Sequence, residues 1–189
     1  KRNFHRLIYS STPYRGLEFV PQLFQTLKTK YSDLECHIYS SYKIYGSSDD
    51  SFSELRQKLE ALPDCYVHGN ILQKDLAREF MKSAILFYPC HFEETSCITA
   101  MEAMAAGCVP LTTSLGALPE TIGSAGILIE GLPPQEHYIY NYLKTAHRLL
   151  SDQDFFQRLS DKAKQRAQDF SWTKVAQNFD AFVKKELKE

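Results

Sequence analysis

Six short apolar runs alternate with longer stretches of helical period, and this alternation constrains the fold more than any other feature of the chain. The runs fall at residues 4–10, 34–40, 65–68, 84–88, 108–112 and 126–129. The intervening segments 16–31, 51–62, 73–83 and 96–106 read as helices, with a short helical turn at 118–122. In the first of these, Phe19, Leu23, Phe24 and Leu27 share one face, and Pro21 falls near the first turn, where proline is tolerated. The second carries Leu55 and Leu59 on its apolar face. Residues 84–88 (AILFY) run on without polar alternation, as a strand buried on both faces does. Strands that each lead into a helix imply a parallel sheet covered on both sides, a doubly wound, Rossmann-like α/β fold. Ligands of such sheets bind beyond the carboxyl ends of the strands. That rule directs attention to the segments after Ser10, Ser40, His68, Tyr88 and Thr112.

Past Gly131-Leu-Pro-Pro the texture changes to three charged, amphipathic helices near residues 135–151, 153–170 and 172–188. The expected organisation is a single domain with an α/β core over 1–131 and a helical segment over 132–189, a length that suits one hydrophobic core. Residues 45–53 (YGSSDDSFS) read as the least structured stretch, with Asp49 and Asp50 in a solvated turn. The net charge of −1 gives no general attraction to nucleic acid or anionic membrane, so any phosphate site must be local. Five cysteines without a CxxC pair or zinc-finger spacing read as reduced thiols of a cytoplasmic protein. No stretch approaches the roughly 20 apolar residues of a membrane span.

The chemistry concentrates in residues 88–110, YPCHFEETSCITAMEAMAAGCVP. A buried strand runs into Pro89, two carboxylates follow at Glu93 and Glu94, and a helix is expected to begin at Thr95 or Ser96. The first turn of a helix offers unpaired N–H groups and the positive end of its dipole, a ready phosphate site at the carboxyl edge of a sheet. Ala100, Ala103, Ala105, Ala106 and Gly107 let that helix lie close to the sheet. Glu102 interrupts this small-residue run and needs a partner or a task. Vicinal hydroxyls such as those of a ribose would provide one; pairing with a nearby cation, or simple exposure, would be the plainer explanation.

Glu94 and Glu102 stand with seven residues between them, and the segment continues Ala-Met-Ala-x-Gly-x-x-Pro. This pattern resembles the donor-site signature of glycosyltransferase family 4 (glycosyl transferases group 1), enzymes of the two-domain GT-B class. Further stretches match in order: Ser10-Ser-Thr-Pro-Tyr-Arg15-Gly16-Leu17, Val67-His-Gly69-Asn-Ile71 with the following helix, Gly116-Ala-Leu-Pro119-Glu120, and Phe170-Ser-Trp172. The resemblance implies the C-terminal, donor-binding domain of a glycosyltransferase that moves a hexose-type sugar from a nucleoside diphosphate to a glycan, lipid or other acceptor, with retention. Glu94 would bond hydroxyls of the transferred sugar, and Arg15 would neutralise the departing phosphate. Backbone N–H groups of Thr95, Ser96 and Cys97 would hold the diphosphate, Glu102 the ribose, and the edge of Val67, His68 and Gly69 the base. Fixed donors and cations would stabilise the leaving group, so no metal and no cofactor beyond the nucleotide-sugar substrate is expected. The chain begins with Lys and shows one doubly wound unit, so the acceptor-binding N-terminal domain is expected outside it. It is also where any peripheral membrane attachment would lie.

This sequence departs from the pattern in three places. A Gly-Arg pair usual after the first strand is Ser10-Ser11, leaving Arg15 alone of two cations. The usual Gly-Phe-Gly after the first Glu is Thr95-Ser96-Cys97, so either a hydroxyl adds a phosphate contact or the pocket is narrower. The Gly-x-Gly often following the second strand is Ser40-Ser41-Tyr42. The lost cation makes a non-catalytic sugar-nucleotide-binding or scaffold domain the alternative function, and an interaction module that kept only the fold a third. Cys97 at a helix start could be a nucleophile, but it has no histidine partner and reads as a space-filling residue. His68 and His91 read equally well as plain loop residues. In the last helix Val175, Phe179 and Phe182 form an apolar stripe beside the only tryptophan, Trp172. That face is expected to be at least partly exposed, because the resemblance sends this helix toward the other domain.

Overall fold

The computed structural model describes residues 1–187. Its strands are β1 (Arg6–Ser10), β2 (Glu35–Tyr39), β3 (Cys65–Val67), β4 (Ile85–Tyr88), β5 (Val109–Thr113) and β6 (Ile127–Ile129). They form one sheet in the order β3-β2-β1-β4-β5-β6, parallel throughout. The chain builds outward from β1 to β3, then returns to the other side of β1 to build β4 to β6. The loops after β1 and β4 therefore part at a topological switch point, which is where open α/β sheets form their binding crevice.

The helices are α1 (Val20–Lys28), α2 (Ser53–Glu60), α3 (Gln73–Lys82), α4 (Ile98–Ala105), α5 (Leu118–Ile122), α6 (Glu136–Ser151), α7 (Gln153–Ala167) and α8 (Trp172–Glu186). Pro21 lies in the first turn of α1, where its missing N–H costs no hydrogen bond. Leu23, Phe24 and Leu27 on that helix are buried, each contributing about 2 kcal/mol. All four residues of β4 are buried, as its unbroken apolar run requires.

The helical segment after residue 131 is not a separate layer. Tyr138 and Tyr142 of α6 are fully buried, and their phenols are satisfied by the sheet: Tyr142 donates to the Leu111 carbonyl at 2.9 Å and Tyr138 bonds Thr113 Oγ1 at 2.7 Å. Asp152 caps α7 by accepting from the Phe155 N–H at 2.8 Å. Ser160 of α7 donates to the Gly107 carbonyl at 2.7 Å, and the Arg2 guanidinium donates to the carbonyls of Ala106 and Gly107. The carboxyl end of α4 is thus held by both chain segments that flank the core.

Helix α8 is different. Ser171 caps it, yet none of its residues is buried, and Trp172 and Phe179 are 90% and 67% exposed. The apolar stripe is open, as expected. Lys188, assigned to this helix from sequence, and Glu189 lie outside the described residues. Among the described residues no helix is long and apolar enough to cross a membrane.

Three local expectations are corrected. Helix α4 begins at Ile98, not at residue 95 or 96, because Cys97 takes a left-handed conformation (φ 59°) that no helix can include. The helix expected over 153–170 ends at Ala167, and residues 168–170 tighten into a 3-10 turn. Residues 45–53 are structured: the Asp49 carboxylate accepts from Ser41 Oγ at 2.8 Å and from the Tyr42 N–H at 2.7 Å, folding the loop after β2 back on itself.

Candidate functional site

A cavity of about 570 Å³ opens at the carboxyl edge of the sheet, over the switch between β1 and β4. Four loops wall it: Ser11 and Arg15 follow β1, Ser41 follows β2, Gly69 follows β3, and residues 94–99 follow β4. The carboxyl edge, expected from the rule for doubly wound sheets, is the edge that carries the cavity.

Its polar centre is a buried ion pair. Glu94 is 5% exposed. Arg15 Nη1 donates to both its carboxylate oxygens, at 2.9 and 2.8 Å, and the Tyr88 hydroxyl donates to Oε1 at 2.5 Å. A carboxylate so far from water persists as a charge only when paired and hydrogen-bonded in this way. The Arg15 guanidinium lies over the Phe92 ring at 4.6 Å and the Tyr14 ring at 5.5 Å, with the Tyr14 hydroxyl 3.3 Å from Nε and Nη2. Burial alone would lower the Arg15 pKa, but the Tyr14 hydroxyl and the Glu94 charge raise it above its ordinary value, so the cation is permanent. Two glycines permit the arrangement. Gly16, beside Arg15, sits at φ +98°, and a Cβ there would meet the Pro89 carbonyl oxygen at 2.1 Å. Gly116, at φ +56°, would drive a Cβ to 2.6 Å from the Glu94 carbonyl oxygen. The neighbouring Ala117 N–H donates to that same carbonyl at 2.8 Å. The loops after β1 and β5 therefore clamp the loop after β4 from both sides.

Beyond Glu94 the chain bends through Thr95 and Ser96 to Cys97 and enters α4. The N–H groups of residues 95–98 donate to no protein acceptor among the described residues. They are carried by a loop and the helix start rather than by a capped first turn. Thr12 Oγ1 and Thr99 Oγ1, on residues of the cavity wall, are buried without a partner. Cys97 is 6% exposed, and burial, with the Glu94 charge adding to it, pushes its thiol up to about 12. A buried thiol held in its neutral form has the environment of a space-filling residue.

The remaining expected residues scatter. Glu102 is outside the cavity wall, half-buried, and accepts a hydrogen bond from the Gln73 side chain on α3. Gly69 lines the cavity, whereas Val67 and His68 do not. The His68 ring stacks on Tyr39 at 4.6 Å and on His37 at 5.2 Å, with His37 Nδ1 and His68 Nε2 3.0 Å apart. Burial first, and the Arg6 charge next, lower the His37 pKa to about 4. Glu93 is exposed, and His91 lies 3.5 Å from Glu18 at the surface. Among the described residues no group of three or more His, Cys, Asp or Glu could hold a metal ion. Sequence reasoning did not single out Tyr88, Tyr14, Phe92 or Gln73. Tyr88 did leave a trace, as the one side chain with a polar tip in the run AILFY.

The family described as glycosyl transferases group 1 matches residues 7–166. Over 188 residues the chain is 27% identical to the lipopolysaccharide 1,2-N-acetylglucosaminetransferase of Salmonella typhimurium, covering 94% of this chain and 48% of that protein. Over 106 residues it is 31% identical to the D-inositol 3-phosphate glycosyltransferase of Streptomyces bingchenggensis, covering 55% of this chain and 22% of that protein. The chain thus spans less than half the length of these curated relatives. Among solved structures, the GtfA/B complex superposes with a TM-score of 0.82 at 16% identity, covering 100% of this chain and 37% of that one. Anabaena Alr3699/HepE, solved with UDP-glucose, superposes with a TM-score of 0.75 at 15% identity, covering 96% of this chain and 49% of that one. At these identities the likeness is one of fold.

Proposed function

Since this chain belongs to the family of glycosyl transferases group 1, we propose that it binds a nucleoside diphosphate sugar for transfer to an acceptor held by another domain. The observation that carries this reading is one cavity lined both by the Arg15–Glu94 pair and by residues 95–98, whose N–H groups have no protein acceptor among the described residues. Anion-binding donors and a permanent cation lie beside a carboxylate able to accept from hydroxyls. That is the set of groups a diphosphate linked to a sugar requires.

In this reading the N–H groups of Thr95, Ser96 and Cys97 hold the diphosphate and Arg15 offsets the charge that develops on the leaving oxygen. Glu94 accepts from hydroxyls of a hexose-type sugar. Gly69 faces the base side, while Val67 and His68 stay outside the cavity wall, and Glu102 reaches the ribose after releasing Gln73. Fixed donors supply the stabilisation, so the transfer needs no metal, and membership of the family supports retention of configuration. The lipopolysaccharide-modifying relative supports a glycan or lipid-linked acceptor, reached from the cytoplasm. Transfer then needs the second domain, for which the open stripe of α8 offers a surface.

One observation favours a second reading, a sugar-nucleotide-binding domain without catalysis: among the described residues Arg15 is the single Lys, Arg or His in the cavity wall, and Glu94 already holds it. The test is to assay the whole protein for sugar transfer with UDP-, GDP- and ADP-sugars while titrating this chain with the same ligands. Transfer by the whole protein, with binding but no transfer by this chain, is expected. Binding without transfer in both would select the second reading, and a flat titration in both would overturn the first.

A further inference from the structure

Tyr88 ends the central strand β4 and is fully buried. A phenylalanine would fill the same volume, so the hydroxyl is there for what it bonds; a buried phenol without a partner is destabilising. It donates to Glu94 Oε1 at 2.5 Å, and Ser11 Oγ lies 3.3 Å from it. Tyr9 provides an internal comparison. Its ring lies 5.6 Å from that of Tyr88 and it too is fully buried, yet its hydroxyl donates to the Thr12 carbonyl at 3.0 Å and closes a turn. Burial above all, with Tyr9, Cys90, Cys97 and Glu94 adding to it, raises the Tyr88 pKa far beyond the ordinary phenol value. Its hydroxyl is therefore a permanent donor. Arg15 reaches the carboxylate from the loop after β1, and Tyr88 reaches it from the sheet. Arg15 Nη1 reaches both oxygens, and Tyr88 adds a bond to Oε1 alone from another direction, which distinguishes the two oxygens and tightens the orientation of the carboxylate.

We propose that Tyr88 is a positioning residue whose hydroxyl sets the orientation of the Glu94 carboxylate and thereby the site's preference for a sugar-bearing over a bare nucleoside diphosphate. The inference rests on the donor-site reading above. Tyr88 touches no ligand in it and acts only through Glu94.

The test is the sugar increment, the ratio of Kd for the nucleoside diphosphate to Kd for its glucose conjugate. It is measured by calorimetry on this chain with UDP, GDP and ADP and their glucose conjugates. Tyr88→Phe should reduce that increment roughly tenfold, the effect of one charge-assisted hydrogen bond, while leaving Kd for the bare diphosphate within about twofold. In the Glu94→Gln background, Tyr88→Phe should cause no further loss, because a positioning residue has nothing left to position. Tyr9→Phe, the matched loss of a buried hydroxyl, should lower the thermal midpoint and leave the increment unchanged. Should Tyr88→Phe fail to fold, Ser11→Ala provides the same cycle with Glu94→Gln, with a smaller loss in the same direction. A sugar increment that survives Tyr88→Phe, or losses that add in the double variant, would overturn this inference alone. A wild-type chain that binds none of the probes would overturn the donor-site reading and this inference with it.

Discussion

The two ends of the cavity are built in opposite ways. At the Glu94 end every charged group is already committed: Arg15 to both carboxylate oxygens, Tyr88 to one of them, and two aromatic rings around the guanidinium. At the Gly69 end the wall comes from loop residues, with Ile44 and Tyr45 60% and 63% exposed, and Glu102 waits outside with a neutral partner. A pre-organised array loses little freedom when its ligand arrives, whereas open side chains must be ordered at that moment. The difference teaches where this site invests rigidity: where bonds would change, not where the ligand is gripped.

The largest expected effect tests the committed end. Arg15→Ala leaves Glu94 buried without its cation, and should cost about 3 kcal/mol of stability in urea unfolding. It should also weaken nucleoside diphosphate binding more than tenfold while sparing the free nucleoside. Equal loss for both ligands would remove Arg15 from the phosphate site and break the comparison. Next comes Glu102→Gln, which should weaken any ribonucleotide about tenfold, with or without its sugar, and leave stability nearly unchanged. A variant that bound as wild type would confine Glu102 to its bond with Gln73. Tyr45→Ala should have a smaller effect, about two- to threefold in Kd, read by calorimetry, because an exposed wall has to be ordered before it contributes. A loss as large as that of Arg15→Ala would show the Gly69 end to be as preformed as the other.

A separate effect is on stability versus pH. His37 has its pKa lowered to about 4 in the folded chain, below the ordinary histidine value. Between those two pH values the unfolded chain binds the extra proton and the folded chain does not. Stability contributed by neutral His37 is therefore present above the ordinary value and lost as pH falls toward 4. The thermal midpoint should decline over that window, and His37→Asn should flatten the decline. An unchanged slope in the variant would place the acid sensitivity elsewhere.

Much of the fold was legible because its signals are local. Apolar runs without alternation gave the strands, the 3.6-residue period gave the helices, and Pro21 and Gly107 sit where helix ends allow them. Boundaries slipped where one backbone angle decides: Cys97 adopts a positive φ that its residue type does not announce, so α4 starts later than its composition suggests. The segment 45–53 looked unstructured because its order comes from Asp49 reaching back to Ser41 and Tyr42. In the site, Glu94, Arg15 and residues 95–97 were singled out by the family resemblance, and all of them line the cavity. That Arg15 and Glu94 hold each other was not legible, since 79 residues separate them. Nor was the turning of His68 toward His37 and Tyr39, because strand neighbours are set by the order of the sheet.

The claim that this edge holds a nucleotide sugar, with Glu94 and not its neighbour Glu93 on the sugar, is tested most directly by a crystal structure. The chain would be crystallised with whichever glucose conjugate of UDP, GDP or ADP it binds. The account predicts the diphosphate against the N–H groups of residues 95–98 and Arg15, the sugar hydroxyls on Glu94, the base toward Gly69, and Glu93 in solvent. A sugar seated on Glu93, a nucleotide reversed in the cavity, or a ligand bound outside it would contradict the account.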